Sequence, residues 1–279
     1  MDLDLSSPKT IKEILTRYET KPFKGMGQNF LVNKQALEKI INSADLKTED
    51  VVLEVGPGLG TLTMELAKNA GKVIAVEKDQ KMCQILKETL KDYKNIEIIN
   101  DDILKLNLEQ YTSNPYKIIA NIPYYLTSPL IRKFLETKYS PKFMLLMVQK
   151  EVAQRICANP PDMSILAVSV QFYAKAKIIS YVKKENFWPK PKVDSAIIKI
   201  IPTASETSIS SDLFFKIVKA GFSHPRKQLG NNLLAMGNKE EINSWLLKNK
   251  IKPTQRAETL SLDDWTNLLS TACCFKIVL

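Results

Sequence analysis

The chain has 279 residues, of which 44% are hydrophobic and 25% are charged. This composition is typical of a globular protein and excludes a collagen-like or globally disordered chain. The length suits one large domain, or a large domain followed by a small one. Forty Lys and Arg residues against thirty Asp and Glu residues give a net charge of +10, which favours a polyanionic partner such as nucleic acid.

The positive charge is concentrated in one part of the chain. Residues 132–205 hold thirteen basic and five acidic side chains, whereas residues 1–131 are almost neutral. Two interpretations of this segment stay open at this point. It forms a surface for a polyanion, or its lysines are solvated side chains that keep the protein soluble.

The cysteines and the N-terminus indicate the kind of environment. The four cysteines form no C-x-x-C pair and His224 is the only histidine, so we expect no zinc site, no other metal and no disulfide framework. Reduced thiols are typical of the cytoplasm. Acidic residues open the chain, where a signal peptide needs basic ones, and the longest apolar run, Phe143–Val148, is too short to cross a membrane. We therefore predict a soluble, cytoplasmic protein.

The first predicted elements form a helical and loop extension over residues 1–48. Thr10–Tyr18 has helical spacing, and Lys21–Asn29 is a basic loop with two glycines. Asn33 is a candidate cap for a helix that runs to Ala44.

Strands and helices alternate from residue 51 onwards. This alternation predicts an α/β, doubly wound, Rossmann-like sheet of parallel strands with helices on both faces. Ile178–Val182 and Ala196–Ile201 have no clear helix between them and predict an antiparallel hairpin at one edge. The predicted parallel strands are Val51–Val55, Val73–Val76, Ile96–Ile99, Ile118–Ala120 and Phe143–Val148, and the predicted helices between them end near Asn69, Leu90 and Glu136.

The C-terminal part reads as a second, all-helical domain. Residues 203–211 hold six Ser and Thr residues and predict a linker. We therefore expect a first domain over residues 1–202 and a small helical domain over residues 212–279. The helices predicted there are Leu213–Gly221, Lys227–Met236, Glu240–Leu247 and Leu262–Leu269.

A glycine-rich turn follows the first strand of the alternation. Glu54-Val-Gly-Pro-Gly-Leu-Gly60 places glycines at alternate positions, so a ligand can lie against the backbone at the carboxyl end of the strand. Pro57 argues against a phosphate cradle, and no Gly-Lys-Ser/Thr follows as a P-loop requires. A purely structural turn is the alternative.

Polar side chains follow the next strands. Glu77 ends the second strand, where a carboxylate can accept hydrogen bonds from both ribose hydroxyls of a nucleoside; a favourable charge at a helix N-terminus is the alternative. Asp102 follows the third strand and could accept from an adenine amino group, with Asp101 as its competitor. Either aspartate could also be an ordinary turn residue.

The fourth strand runs into Asn121-Ile-Pro-Tyr124. The lone pair of an amino group on a base is delocalised into the ring, so the amine is a poor nucleophile. The side-chain oxygen of Asn121 and the carbonyl of Ile122 can accept both amine hydrogens and direct the lone pair at an electrophile. Tyr124 offers a π-face for the base. The alternative is a plain turn with a core tyrosine.

Together these motifs resemble class I S-adenosylmethionine-dependent methyltransferases that act on adenine N6. In more detail they are similar to the ribosomal RNA adenine dimethyltransferase family, whose bacterial member dimethylates two adjacent adenines near the 3′ end of 16S rRNA. The resemblance rests on Gly27-Gln-Asn-Phe-Leu31, Glu54–Thr63, Asn121–Tyr124 with Thr127-Ser-Pro-Leu130, and Phe187-Trp-Pro-Lys-Pro-Lys-Val-Asp-Ser195.

The resemblance implies a role for each matching residue. Asn121 would bridge the cofactor and the target amine, and Tyr124 and Phe187 would enclose the target adenine after it has left its stack. Phe187 is expected on a loop because prolines follow it. The implied cofactor-binding residues are Gln28, Asn29, Leu31, Gly56, Gly58, Glu77, Asp102 and Asn121. The implied RNA-binding residues are Lys190, Lys192, Arg226 and Lys227.

The expected partner is 16S rRNA within the small ribosomal subunit or its precursor, bound by a monomer with a role in subunit biogenesis. Three alternatives stay open. The first is a large-subunit rRNA adenine methyltransferase of the antibiotic-resistance type. The others are a non-catalytic assembly factor and a small-molecule methyltransferase, which would leave the charged segment and the Phe187 motif unexplained.

Overall fold

The computed structural model describes residues 4–107, 109, 111, 115–137, 139–203, 210–275 and 277. The helices are α1 Pro8–Arg17, α2 Lys34–Ala44, α3 Thr61–Asn69, α4 Gln80–Thr89, α5 Thr127–Leu135, α6 Lys150–Ile156, α7 Ile165–Gln171, α8 Ser211–Gly221, α9 Leu229–Asn232, α10 Lys239–Lys248 and α11 Leu262–Thr271. The strands are β1 Phe30–Leu31, β2 Val51–Val55, β3 Lys72–Glu77, β4 Ile96–Asn100, β5 Tyr116–Asn121, β6 Met144–Gln149, β7 Ala174–Val182, β8 Phe187–Trp188 and β9 Ser195–Pro202.

The main sheet has seven strands in the order β4-β3-β2-β5-β6-β9-β7. The pairs from β4 to β6 are parallel, and β9 joins β6 antiparallel. This confirms the predicted doubly wound sheet with an antiparallel edge. From β2 the chain builds outwards through β3 and β4, and it then returns to place β5 on the other side of β2. The carboxyl ends of β2 and β5 therefore flank the switch point at which ligands bind in such sheets.

The predicted parallel strands lie where expected, because their residues read as continuous apolar runs. Most residues of β2, β3, β5 and β6 are buried, whereas the edge strand β4 is only half-buried. The edge strand β7 differs, since it begins four residues earlier than predicted. Lys175 and Lys177 point outwards there, and these exposed lysines interrupt the apolar pattern.

The predicted helix cap at Asn33 is confirmed, and Asp79 caps α4 in the same way. Asn33 Oδ1 accepts a hydrogen bond from the Ala36 amide at 2.8 Å, and Asp79 Oδ1 accepts one from the Lys81 amide at 2.9 Å. Such caps satisfy amides that have no partner inside the helix and fix where it begins. In the described part of the chain, no helix is both long enough and apolar enough to span a membrane.

The chain forms two compact units: Met1–Ala153 with Ala176–Pro202, and Gln154–Lys175 with Thr203–Leu279. The predicted continuous division at residue 202 therefore differs from the observed one. Sequence patterns did not predict α6 and α7. The end of α6 from Gln154 and the whole of α7 group with the helical unit, and Ala167 and Val168 of α7 are buried in its core with Phe214 and Trp245. The predicted linker lies mostly outside the described residues.

Candidate active site

A cavity of about 160 Å³ opens at the carboxyl ends of the central strands, beside the switch point between β2 and β5. It lies wholly within the first unit. Every cofactor-binding or catalytic residue predicted from the sequence lines this one cavity. These are Gln28, Asn29, Leu31, Gly56, Gly58, Glu77, Asp102, Asn121, Tyr124 and Phe187.

The glycine turn forms one wall of the cavity. Gly56 and Gly58 have φ values of +66° and +60°, in the left-handed region that favours glycine. A Cβ atom at Gly56 would lie 3.3 Å from the Pro123 ring, and one at Gly58 would lie 3.1 Å from the Phe30 ring. Side chains are therefore disfavoured at Gly56 and Gly58, and the backbone there lines the cavity.

Glu77 ends β3 with only 7% of its surface exposed. Its Oε2 accepts a hydrogen bond from the Gly58 amide at 3.2 Å, and its Oε1 accepts one from the Asp79 amide at 2.8 Å. Burial raises the pKa of Glu77, and the two amide donors oppose that rise. The carboxylate is thus fixed against the glycine turn, with lone pairs left for further donors.

The two aspartates after β4 differ in their surroundings. Asp102 Oδ2 accepts a hydrogen bond from Lys78 Nζ at 2.9 Å, and this contact lowers the pKa of Asp102. Its Oδ1 accepts from the Leu104 amide. Asp101 Oδ1 accepts from the Asp102 amide and is exposed. Both residues line the cavity, so the choice of Asp102 over Asp101 stays a prediction.

Asn121, the last residue of β5, has a defined orientation. Its Nδ2 donates a hydrogen bond to the backbone carbonyl of Asn29 at 3.3 Å. The Asn29 side chain in turn donates to the Gly27 carbonyl at 3.0 Å. Because the nitrogen end of the Asn121 amide is engaged, its oxygen is left to accept from a ligand in the cavity. The loop 27–29 therefore orients the residue on which the predicted chemistry depends.

Two aromatic rings line the cavity beside Asn121. The hydroxyl of Tyr124 lies 2.9 Å from the buried Ser195 Oγ on β9. Phe187 is 4% exposed and pairs with Leu31 where β8 meets β1 antiparallel. The prediction that Phe187 lies on a loop was wrong, because Phe187 and Trp188 form a short strand with Phe30 and Leu31.

Gln28 has both ends of its amide engaged within the protein. Its Nε2 donates to Asp79 Oδ2 at 2.9 Å, and its Oε1 accepts from the Phe23 amide at 2.8 Å. These bonds tie the basic loop to the start of α4. The geometry favours a role for Gln28 in positioning Asn29 over direct contact with a ligand.

Glu54 was part of the glycine motif, but the sequence suggested no role for it. It is fully buried in the cavity wall, and its Oε2 forms no hydrogen bond with any described residue. Burial, with a contribution from the negative charge of Glu77, raises the pKa of Glu54 to about 8. A buried carboxyl with one oxygen left without a hydrogen bond is costly to ionise, so this group suits a cationic ligand.

The raised pKa of Glu54 predicts a pH-dependent stability. In the unfolded chain the carboxyl ionises near its usual value of 4.5, whereas in the folded protein it holds its proton up to about pH 8. Between these values the folded state binds the extra proton, so the free energy of unfolding falls as the pH rises. At pH 8.5 we expect the free energy of unfolding of Glu54→Gln, measured by urea denaturation, to exceed that of the parent by on the order of a few kcal/mol. At pH 5 the two proteins should have similar free energies of unfolding. Glu13→Gln at an exposed site is the control, and an unchanged pH slope in Glu54→Gln would contradict the assignment.

The predicted RNA-binding residues lie outside the cavity and are all exposed. Lys190 pairs with Glu185 at 2.6 Å, which reduces the charge it offers to a phosphate. Arg226 and Lys227 lie in a turn just before α9, and not in the helix predicted over Lys227–Met236. Neither forms an ion pair with a described residue. The Asn232 side chain donates to the carbonyls of Gly221 and His224 and so fixes this turn.

Comparisons with known proteins agree on one family. A family model described as ribosomal RNA adenine dimethylase matches residues 20–272. Ribosomal RNA small subunit methyltransferase A of Dehalococcoides mccartyi strain CBDB1 is 47% identical over 92% of this chain and 90% of the relative. Its counterpart in Clostridioides difficile strain 630 is 39% identical over 98% and 99%.

Two solved structures are similar over most of the chain. A dimethyladenosine transferase from Plasmodium falciparum has a TM-score of 0.74 and 30% identity, covering 88% of this chain and 98% of the other. The 23S rRNA methyltransferase ErmE has a TM-score of 0.72 and 26% identity, covering 87% and 98%.

Proposed function

The chain belongs to the ribosomal RNA adenine dimethylase family, and from that premise we propose that it dimethylates N6 of two adjacent adenines near the 3′ end of 16S rRNA. Membership makes it an rRNA adenine dimethyltransferase. The substrate is proposed to be the small ribosomal subunit or its precursor, because the similar proteins at 39–47% identity are named small subunit methyltransferases.

The cavity fits S-adenosylmethionine, the methyl donor that the family and fold imply. The unpartnered Oε2 of Glu54 is a buried acceptor for a cationic group, and the cofactor carries both a sulfonium and an ammonium. The glycine turn allows close approach of its backbone. We propose that Glu77 holds the ribose, that Asp102 holds the adenine amine, and that Asn29 and Leu31 close over the methionine end.

Asn121 is proposed to orient the target amine. When bound, S-adenosylmethionine supplies a methyl group made electrophilic by its sulfonium. The Asn121 oxygen accepts one amine hydrogen and the Ile122 carbonyl accepts the other, which frees the nitrogen lone pair for attack. Orientation of this kind accounts for much of the rate in group transfer. No strong base is needed before the attack, because the amine nitrogen loses its proton readily once it has gained the methyl group.

Tyr124 and Phe187 are proposed to hold the target adenine between them. Both rings line the cavity together with Asn121, and both are held in place, Tyr124 by Ser195 and Phe187 by pairing with Leu31. Such a slot receives a base that has left its stack. The single observation that carries the proposal is this convergence of Asn121 and two aromatic walls beside the carboxylates.

The test is transfer of labelled methyl groups from S-adenosylmethionine to small subunits that lack the modification. Large subunits and free RNA run in parallel, and nucleosides from the product are analysed. Dimethyladenine in the small subunit supports the proposal. Label in the large subunit instead would favour 23S rRNA as the substrate, as in the name of the 23S rRNA methyltransferase ErmE. Binding to the particle without any methyl transfer would indicate a non-catalytic assembly factor.

Arg226 and Lys227 are proposed to contact RNA phosphates. The variant Arg226→Ala/Lys227→Ala is expected to lower the slope of log affinity against log salt by roughly 0.7–0.9 per lost phosphate contact. The check is small-subunit binding from 50 to 300 mM salt. Lys239→Ala/Lys248→Ala on α10 is the charge-matched control. An unchanged slope in Arg226→Ala/Lys227→Ala would mean that these two side chains are solvated and do not contact RNA.

A further inference from the structure

One hydrogen bond joins the Tyr124 loop to the antiparallel edge of the sheet. The Tyr124 and Ser195 hydroxyl oxygens lie 2.9 Å apart, and either can donate. Ser195 is fully buried and begins β9, where it pairs with Gln149 of β6. Its backbone is therefore fixed by the sheet, and its buried hydroxyl contacts Tyr124 at the far end of the tyrosine ring.

The other end of Tyr124 is also fixed. The Leu126 amide donates to the Pro123 carbonyl at 2.9 Å, which closes a 3-10 turn over Tyr124–Leu126. Thr127 Oγ1 donates to the Tyr124 carbonyl at 3.0 Å. With its backbone held in this way, the tyrosine keeps only the rotation of its side chain, and the bond to Ser195 restrains that rotation.

Phe187, the other wall of the proposed slot, is held independently of Tyr124. Phe187 is buried and its backbone pairs with Leu31. Because Phe187 is fixed by strand pairing, the position of the Tyr124 ring decides how tightly a base is held in the proposed slot. The Tyr124–Ser195 bond therefore sets the width of the slot.

We propose that Ser195 is a positioning residue for the second methyl transfer, acting through Tyr124; this inference rests on the function proposed above. In each transfer the N6 lone pair forms the new N–C bond while the methyl–sulfur bond breaks with its electron pair staying on sulfur, and N6 then releases a proton to solvent. The first product keeps one N–H. Asn121 and Ile122 then share one hydrogen where they had two, so orientation depends more on the walls of the slot.

The test is a double-mutant cycle of Ser195→Ala and Tyr124→Phe, with methylated nucleosides followed in time on unmodified small subunits. Loss of one neutral hydrogen bond is expected to slow the second transfer by roughly five- to tenfold, so that monomethyladenine accumulates. In Ser195→Ala the first transfer and the KM for the particle should change little. The double variant should be no worse than either single variant, because both remove the same bond.

Tyr116→Phe is the matched control. It removes another tyrosine hydroxyl bond, to the Tyr139 carbonyl at 2.7 Å, at the opposite end of β5, and its ratio of monomethyl to dimethyl product should equal that of the parent. If Ser195→Ala does not fold, Tyr124→Phe alone must still raise the monomethyl fraction. Additive effects, or an unchanged ratio in the single variants, would overturn the role of Ser195. If the parent itself does not methylate rRNA, the proposed function fails instead.

Discussion

Replacing Asn121 by alanine is expected to lower kcat for methyl transfer by on the order of 10²–10³-fold, the usual cost of removing one preorganised polar group from a reacting centre. The reason is geometric. Its amide nitrogen is held by the Asn29 carbonyl, so the oxygen is preset to accept an amine hydrogen. Without it the lone pair stays delocalised into the ring, and the bound adenine is a poor nucleophile.

Binding measurements should separate the loss of kcat in Asn121→Ala from misfolding of the variant. Asn121→Ala should keep its affinity for the small subunit and for S-adenosylmethionine within a few-fold, because stacking and the carboxylates are untouched. Asn121→Asp is the informative partner, since it keeps the acceptor but loses the bond from Nδ2 to Asn29. The measurements are kcat, from the rate at which dimethyladenine forms, and the dissociation constants for the small subunit and for S-adenosylmethionine. Retained turnover in Asn121→Ala would remove Asn121 from the mechanism.

The second large effect is expected at Glu77. Glu77→Ala should raise the Kd for S-adenosylmethionine by about 10²-fold, because hydrogen bonds to a charged group contribute about 1.5–3 kcal/mol each. It should also loosen the site itself, since the Gly58 and Asp79 amides lose their acceptor. Calorimetric titration of the cofactor measures the first effect, and thermal unfolding measures the second.

Glu77→Gln separates the two roles of this residue. It keeps an acceptor for one amide and removes the charge and one acceptor oxygen, so stability should recover more than cofactor affinity does. Asp101→Ala and Asp102→Ala are compared in the same titration, because the two aspartates compete for the predicted contact with the adenine amine of the cofactor. An unchanged cofactor Kd in Glu77→Ala would mean that another carboxylate holds the ribose.

Sequence reasoning located the cavity because its residues follow strand ends. Glu54–Gly60, Glu77, Asp102 and Asn121 each come directly after an apolar run. Parallel strands bring their carboxyl ends to one edge, so strand assignment was enough to bring these residues together. The family resemblance added Asn29, Leu31 and Phe187, which no strand rule places there.

What the sequence did not indicate depends on tertiary contacts. The Tyr124–Ser195 bond joins residues 71 positions apart, and no local pattern encodes it. That Glu54 Oε2 has no hydrogen-bond partner among the residues described is visible only once its neighbours are placed. Residues 154–175 group with the helical unit because their apolar side chains complete its core, whereas their position in the chain favoured the first domain.

The pairing of β1 with β8 limits how this enzyme can change by mutation. Phe30 contacts the glycine turn at Gly58, while its neighbour Leu31 pairs with Phe187. With the roles proposed above, a substitution in β1 that alters the cofactor side of the cavity is expected also to shift Phe187, the proposed wall for the nucleobase. We therefore expect donor affinity and base selection to depend on this same two-residue strand. We expect variants selected for a new methyl donor to need compensating changes in β8 before they accept adenine again.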